Sequence, residues 1–193
     1  MVSFTLDTNC IIDVAEGRPG AAAIRDLADA HAAGEADVAL VAVSASERQQ
    51  GDKYLENFSD FQERLTALSL NHLTVLPSIG YWNIGFYGLG IWPDEQMVER
   101  ERSIHESLFP SIPFAWPDFA AQIGIAPDTI KIAEAKRWRN AFCDRQMFWS
   151  HDHNKRDIFV TSDVNFRKKL TQSDNFKNAR ILTPDEARCF VLI

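Results

Sequence analysis

The chain has 193 residues, 46% of them hydrophobic and 24% charged, a composition that predicts one globular domain spanning 1–193 and excludes a disordered chain. No apolar run approaches the roughly 20 residues of a membrane-crossing helix, and the opening MVSFTLDTNC carries Asp7 where a secretion signal would be basic and then apolar. Twenty Lys and Arg against 27 Asp and Glu give a net charge of −7, and three cysteines without C-x-x-C spacing predict a reduced, cytoplasmic, soluble protein with no membrane partner.

The charge is unevenly spread. Lys131 to Arg180 holds twelve basic residues and six acids, +6, which leaves −13 for the rest. Such asymmetry points to a polyanion bound at one face, or to a merely solvated basic helix surface.

In chain order, Val2–Leu6 predicts a strand, and CIIDVAEG a helix capped near Thr8 and broken at Pro19-Gly20. Ala21–Ala33 is a helix by the spacing of Ile24, Leu27 and Ala28. Asp37–Val43 is apolar almost throughout, as in a strand buried on both faces of a parallel sheet. Ser44 and Glu47 form a capping-box pattern, Leu55–Leu70 predicts an amphipathic helix, and Leu73–Leu76 a third strand. Pro77–Pro127 differs in character, with Trp82, Trp92, Trp116, most of the prolines and the run GYWNIGFYGLGIW. So much aromatic surface must pack on something, so the stretch predicts an ordered, aromatic-rich helical insertion at about 78–127, with a helix over Asp94–Ser107.

Asp128–Asn140 and Cys143–His153 read as two helices, Ile158–Val160 as a strand, Asp163–Leu170 as a helix and Ala179–Leu182 as a last strand. Pro184 opens a closing helix at its favoured first position. Strands alternating with helices predict an α/β fold of doubly wound type. It would be a three-layer sandwich around a central parallel sheet of about five strands.

In such a sheet, ligands bind outside the carboxyl ends of the strands. Asp7 follows the first strand, Glu47 lies on the helix after the second, and Asp163 follows the fourth. Asp144, on the helix before the fourth strand, reaches the same rim. Singly, each has a structural reading as a turn, cap or first-turn acid. Together, four like charges repel unless neutralised, and Mg²⁺ or Mn²⁺ prefers such oxygen ligands. A metal that activates water and clamps a phosphate implies hydrolysis of a phosphodiester. His151-Asp152-His153 reads as a solvated helix end, while Met147, Phe148, Trp149 and Cys143 read as core.

Five segments carry a family resemblance: FTLDTN at Phe4–Asn9, SASERQ at Ser44–Gln49, FCDRQMFWSH around Asp144, DIFVTSDVNF at Asp157–Phe166 and RILTPDEA at Arg180–Ala187. The chain resembles a PIN-domain ribonuclease. The resemblance implies a metal-dependent endoribonuclease in which Asp7, Glu47, Asp144 and Asp163 bind one or two Mg²⁺ or Mn²⁺ ions and Asn9 partners Asp7. It also implies RNA as substrate and, as in many toxins of this family, an antitoxin protein and a homodimer. The stretch Pro77–Pro127 is longer and more aromatic than the family core. Lys155, Arg156, Arg167, Lys168 and Lys169 flank the fourth strand and the helix beginning at Asp163, as contacts for an RNA backbone. The rival readings are a non-catalytic RNA-binding or scaffolding domain and a haloacid-dehalogenase-like phosphatase. The latter would want an aspartate where Asn9 stands.

Overall fold

A computed structural model describes residues 1–46, 58–81, 84, 89–128, 130 and 133–191. In chain order the elements begin β1 (Val2–Leu6), α1 (Thr8–Glu16), α2 (Ala21–Ala32), β2 (Ala36–Val41), α3 (Phe58–Ala67), β3 (Thr74–Leu76), β4 (Ser78–Ile79) and β5 (Gly90–Ile91). They continue with α4 (Glu95–Leu108), α5 (Trp116–Ile123), α6 (Lys136–His153), β6 (Ile158–Val160), α7 (Val164–Gln172), β7 (Ile181–Leu182) and α8 (Pro184–Arg188).

Five strands form one parallel sheet in the order β3-β2-β1-β6-β7. Phe4 lies level with Val38 and Ile158, so the strands are in register and their carboxyl ends share one edge. Residues two apart point to the same face of a strand. Phe4, Leu6, Val38, Leu40, Ile158 and Val160 accordingly pack on one side with apolar residues of α1, α2, α3 and α8. Val41, Phe159 and Ile181 pack on the other with α4, α5, α6 and α7. The protein is an α/β fold with a central five-stranded parallel sheet and, among the described residues, eight α-helices distributed over both faces. None of the described helices is long and apolar enough to cross a membrane.

Local chemistry sets the helix ends. The Asp94 carboxylate accepts the Met97 N–H and caps α4, while Thr183 and Glu186 close a capping box around Pro184 at the start of α8. Gly17, at φ +63°, ends α1 in the left-handed conformation that glycine adopts without strain.

Several expected boundaries move. The second strand stops at Val41 because the chain tightens into a 3₁₀ turn, Ala42–Ser46. There the Ser44 hydroxyl accepts from Thr8 Oγ1 at 3.0 Å and donates to Met147 Sδ at 3.6 Å, drawing the turn toward both α1 and α6. Glu47, and with it the second half of the expected capping box, lies outside the described residues, as do residues 55–57 of the helix expected from Leu55. The two helices expected over 128–140 and 143–153 are one continuous helix beginning at Lys136, since Ala141, Phe142 and Cys143 hold no breaker and are all buried. Helix α5 is additional to the helices that the sequence predicts, and Pro117 in its first turn and Gly124, at φ +73°, just past its end are its start and stop signals.

Within 78–127, β4 pairs in parallel with β5, and α4 and β4 contact α6. Trp116 and Phe119 are buried, whereas Trp92 stays 76% exposed. The contact is polar at its centre. Buried Glu101 of α4 accepts from Arg145 Nε at 2.6 Å, Gln146 Nε2 at 2.6 Å and the Tyr81 hydroxyl at 2.5 Å. Arg145 Nη1 also donates to the Phe114 carbonyl at 2.9 Å.

Candidate active site at the carboxyl edge of the sheet

Asp7 is the first residue after β1, and its N–H donates to the Val160 carbonyl at 2.9 Å, which seats it beside the end of β6. The side chain is buried, and Oδ2 accepts from the Thr161 hydroxyl at 2.6 Å and from Asn9 Nδ2 at 3.0 Å. Burial pushes the carboxyl up to about 6. The Thr161, Thr8 and Asn9 hydrogen bonds oppose that rise, and the negative charge of Asp163 adds to it.

Asp163 caps α7, where its Oδ1 accepts from Asn165 N–H at 2.8 Å and Phe166 N–H at 3.1 Å. Its own N–H donates to Thr161 Oγ1 at 3.0 Å. One hydroxyl therefore ties the two acids together, giving to Asp7 and receiving from the backbone of Asp163.

Asp144 is placed by its helix. Residues three and four apart share a helix face, so Asp144, Met147, Phe148 and His151 form one stripe of α6. His151 Nδ1 meets Thr5 Oγ1 at 3.0 Å, Phe148 packs edge-on against Phe159, and Met147 reaches Ser44. The stripe thus runs from the body of β1 toward its carboxyl end, and Asp144 lies one turn beyond Met147 in that direction. Thr161 joins Asp7 and Asp163 at the carboxyl edge, and α6 carries Asp144 toward that edge. Glu47 falls just past the described turn Ala42–Ser46 and outside the described residues.

His151 departs from the solvated helix end expected of it. The ring is buried against Phe148 and Phe159, and burial lowers its pKa to about 4. Asp152 pairs instead with Arg100 at 2.8 Å, and His153 stacks on Trp149. Met147, Phe148, Trp149 and Cys143 are core.

Thr161 and Asp13 went unnoticed in the sequence. Asp13 is buried on α1, its Oδ2 accepting from Ser162 Oγ at 2.6 Å. Cys10, whose thiol donates to the Val160 carbonyl, is pushed well up by burial and by the charges of Asp7 and Asp13. A hydroxyl two residues before the acid in Thr161-Ser162-Asp163 was the available signal, but only tertiary contact reveals which carboxylate it serves.

The five basic candidates divide between the two ends of the sheet. Arg156 precedes β6, at the amino edge, where its guanidinium binds the Asp37 carboxylate at 2.8 Å and the carbonyls of Phe4 and Asp37. Lys155 adjoins it, at φ +52°. Arg167, Lys168 and Lys169 follow Asp163 on α7, with Arg167 paired to Glu186 at 2.7 Å and Lys169 Nζ 5.2 Å from the Phe109 ring centre.

Among the described residues, no group of three or more His, Cys, Asp or Glu side chains is arranged to hold a metal ion. No protein-family model matches the chain, and no curated protein matches it.

Proposed function

We propose that the protein is a metal-dependent endoribonuclease of PIN type, with Asp7, Glu47, Asp144 and Asp163 as its acidic set. The observation that carries this reading is the pairing of Asp7 and Asp163 through Thr161 at the carboxyl edge, with Asp7 buried and raised to about 6. A buried carboxyl crowded by a second acid favours a cation, and the available donors are oxygens, which suit Mg²⁺ or Mn²⁺. Such an ion, when bound, supplies Lewis-acid polarisation of a phosphate and lowers the pKa of water.

The chain's own contribution is positional. Asn9 and Thr161 both donate to Asp7 Oδ2, which favours the ionised form and fixes the plane of the carboxylate. Asp163 is held by its cap on α7, and Arg167, Lys168 and Lys169 continue that helix as the basic flank along which an RNA backbone would lie. The toxin role, an antitoxin partner and a homodimer belong to the same reading and rest on the resemblance.

Cleavage of a single-stranded RNA in Mn²⁺ and in EDTA tests the proposal. Asp144→Asn removes one charge at nearly constant volume. It should lower cleavage on the order of 100-fold or more, because the ligand set stabilises the transition state by several kcal/mol. The melting temperature should stay the same or rise. Retained cleavage by this variant removes Asp144 from the site, and cleavage that persists in EDTA contradicts metal dependence.

A further inference from the structure

Helix α6 extends past the sheet it packs on. Two turns of an α-helix take about 7.2 residues, so side chains seven apart fall nearly in line. Met147, Phe148 and His151 share the face of α6 that Ser44, Phe159 and Thr5 cover. Asn140 stands seven residues before Met147, and Arg137 seven before Asp144, with Lys136 beside it. These three residues therefore continue the same face toward the start of the helix. His151 meets Thr5 within β1, whereas Met147 meets Ser44 beyond the end of β2, so lower residue numbers lie farther out. Arg137 stands about 10 Å farther along the axis than Asp144, at about 1.5 Å per residue. Resting on the ribonuclease reading above, we propose that the first two turns of α6, through Lys136, Arg137 and Asn140, bind the RNA backbone beside the acids.

Where the sheet ends, that face is uncovered. Lys136, Arg137 and Asn140 are exposed, while Trp138 and Phe142, on the opposite side of the same turns, are buried and stacked on each other. Trp138 Nε1 also donates to the Pro113 carbonyl at 3.0 Å. The buried side thus fixes the helix, and the three exposed side chains take no part in holding it. Among the described residues neither Lys136 nor Arg137 makes an ion pair, in contrast to Arg167 with Glu186. Both stand in the first turn of α6, which holds no acid, and cations there run against the helix dipole. Charge placed at a cost to its own helix suits a surface that neutralises phosphates.

The surface is continuous with the basic side of α7. The 109–112 turn, closed by the Ile112 N–H donating to the Phe109 carbonyl at 3.0 Å, is reached from both helices. Lys169 Nζ of α7 lies 5.2 Å from the Phe109 ring centre, and Arg137 Nη2 of α6 donates to Ser111 Oγ at 3.3 Å. The two basic stretches therefore meet on one face of the sheet, the face whose helices carry Asp144 and begin at Asp163. A strand laid there finds cations on both helices and acids beside them. Arg137 offers a fork of donors to a phosphate, Lys136 a point charge, and the Asn140 amide a neutral donor.

Binding of a labelled single-stranded RNA, read by fluorescence anisotropy in EDTA, and its cleavage in Mn²⁺, each at several salt concentrations, are the test. The double variant Lys136→Gln, Arg137→Gln should flatten the log–log salt slope by up to about 1.4, at about 0.7 for each of two phosphates. Its KM should rise on the order of 10-fold at low salt, with kcat within about twofold, the effect of losing charged hydrogen bonds to phosphate. The loss should be the same for RNAs of different sequence, because phosphate contacts position a strand without reading it. The melting temperature should hold or rise, and the Mn²⁺-induced melting shift should be retained. Lys136→Gln with Arg137→Lys, which restores one charge, should recover about half of the lost slope. Ser111→Ala, which removes only the contact of Arg137 in the free protein, should change neither slope nor KM. A double variant with the wild-type slope and KM overturns the surface and leaves Mn²⁺-dependent cleavage standing. A double variant that loses the Mn²⁺ shift together with kcat also overturns it, since the residues then act on the acids and not on the strand. Salt-dependent RNA binding that the double variant weakens, in a protein that cleaves no RNA, upholds the surface and defeats the nuclease reading instead.

Discussion

Asp7 and His151 pull the stability of the fold in opposite directions over the same pH range. Asp7 rises from an ordinary 3.8 to about 6, so the native state holds its proton more tightly than the unfolded chain does. Its contribution is full below about 3.8 and is lost as pH rises through about 6. His151 falls from 6.5 to about 4, so the unfolded chain binds the proton more tightly. Its penalty operates at low pH and is relieved as pH rises from about 4 through 6.5. Each effect amounts to about 3 kcal/mol, at about 1.4 kcal/mol per unit. In EDTA, Asp7→Asn should therefore make stability climb more steeply than in wild type between pH 4 and 6, and His151→Asn should make it climb less. Urea unfolding at four pH values checks both, and variant curves parallel to wild type would contradict the assignment. Thr161→Val removes the 2.6 Å donor to Asp7 and should push that carboxyl further up. The acid limb of the rate–pH profile should then move to higher pH, and an unmoved limb would deny Thr161 its positioning role.

At the scale of elements, what the sequence revealed depended on how local the cause was. Val2–Leu6 and Ile158–Val160 are legible to the residue because each β-rich run gives way to polar residues, Asp7-Thr8-Asn9 after the first and Thr161-Ser162-Asp163 after the second. Asp7 stands directly after β1, and Asp163 follows β6 by three residues, at the cap of the next helix. The break expected near Asn140 was not real, because nothing in α6 interrupts it and tertiary burial of Phe142 and Cys143 favours a continuous helix. His151 was misjudged because a polar pair at a helix end resembles a solvated terminus until the Thr5 contact is known.

The basic residues illustrate the same limit. Five cations close in sequence fall at opposite edges of the sheet because α6 ends, and β6 begins, at the amino edge. Arg167, Lys168 and Lys169 changed together to Ser should flatten the salt dependence of RNA binding by up to about 0.7 in the log–log slope for every phosphate that is no longer neutralised. Lys155→Ser at the far edge should leave the slope unchanged. Equal effects from the two variants would move the RNA path away from α7.

The whole molecule is a sheet between two apolar clusters, with a buried ion pair fastening α4 to α6. Removing one member of such a pair leaves an uncompensated buried charge and costs about 3–5 kcal/mol, whereas replacing both with apolar residues can be near neutral. Glu101→Met alone should therefore destabilise far more than Glu101→Met combined with Arg145→Met, as urea unfolding would read directly. Comparable losses would assign the fastening to the surrounding rings.

The acid edge is the claim on which the functional account stands, and cation binding tests it without any assumption about the RNA. A ligand that binds only the folded state at 100 times its Kd stabilises it by about 2.7 kcal/mol, roughly 5–10 °C in melting temperature for a chain this long. Thermal unfolding of wild type and of the Asp7→Asn, Asp163→Asn double variant, with and without millimolar Mn²⁺, should show that rise in wild type and none in the variant. A wild-type melting temperature indifferent to Mn²⁺, or an equal rise in both proteins, would contradict a metal site at this edge.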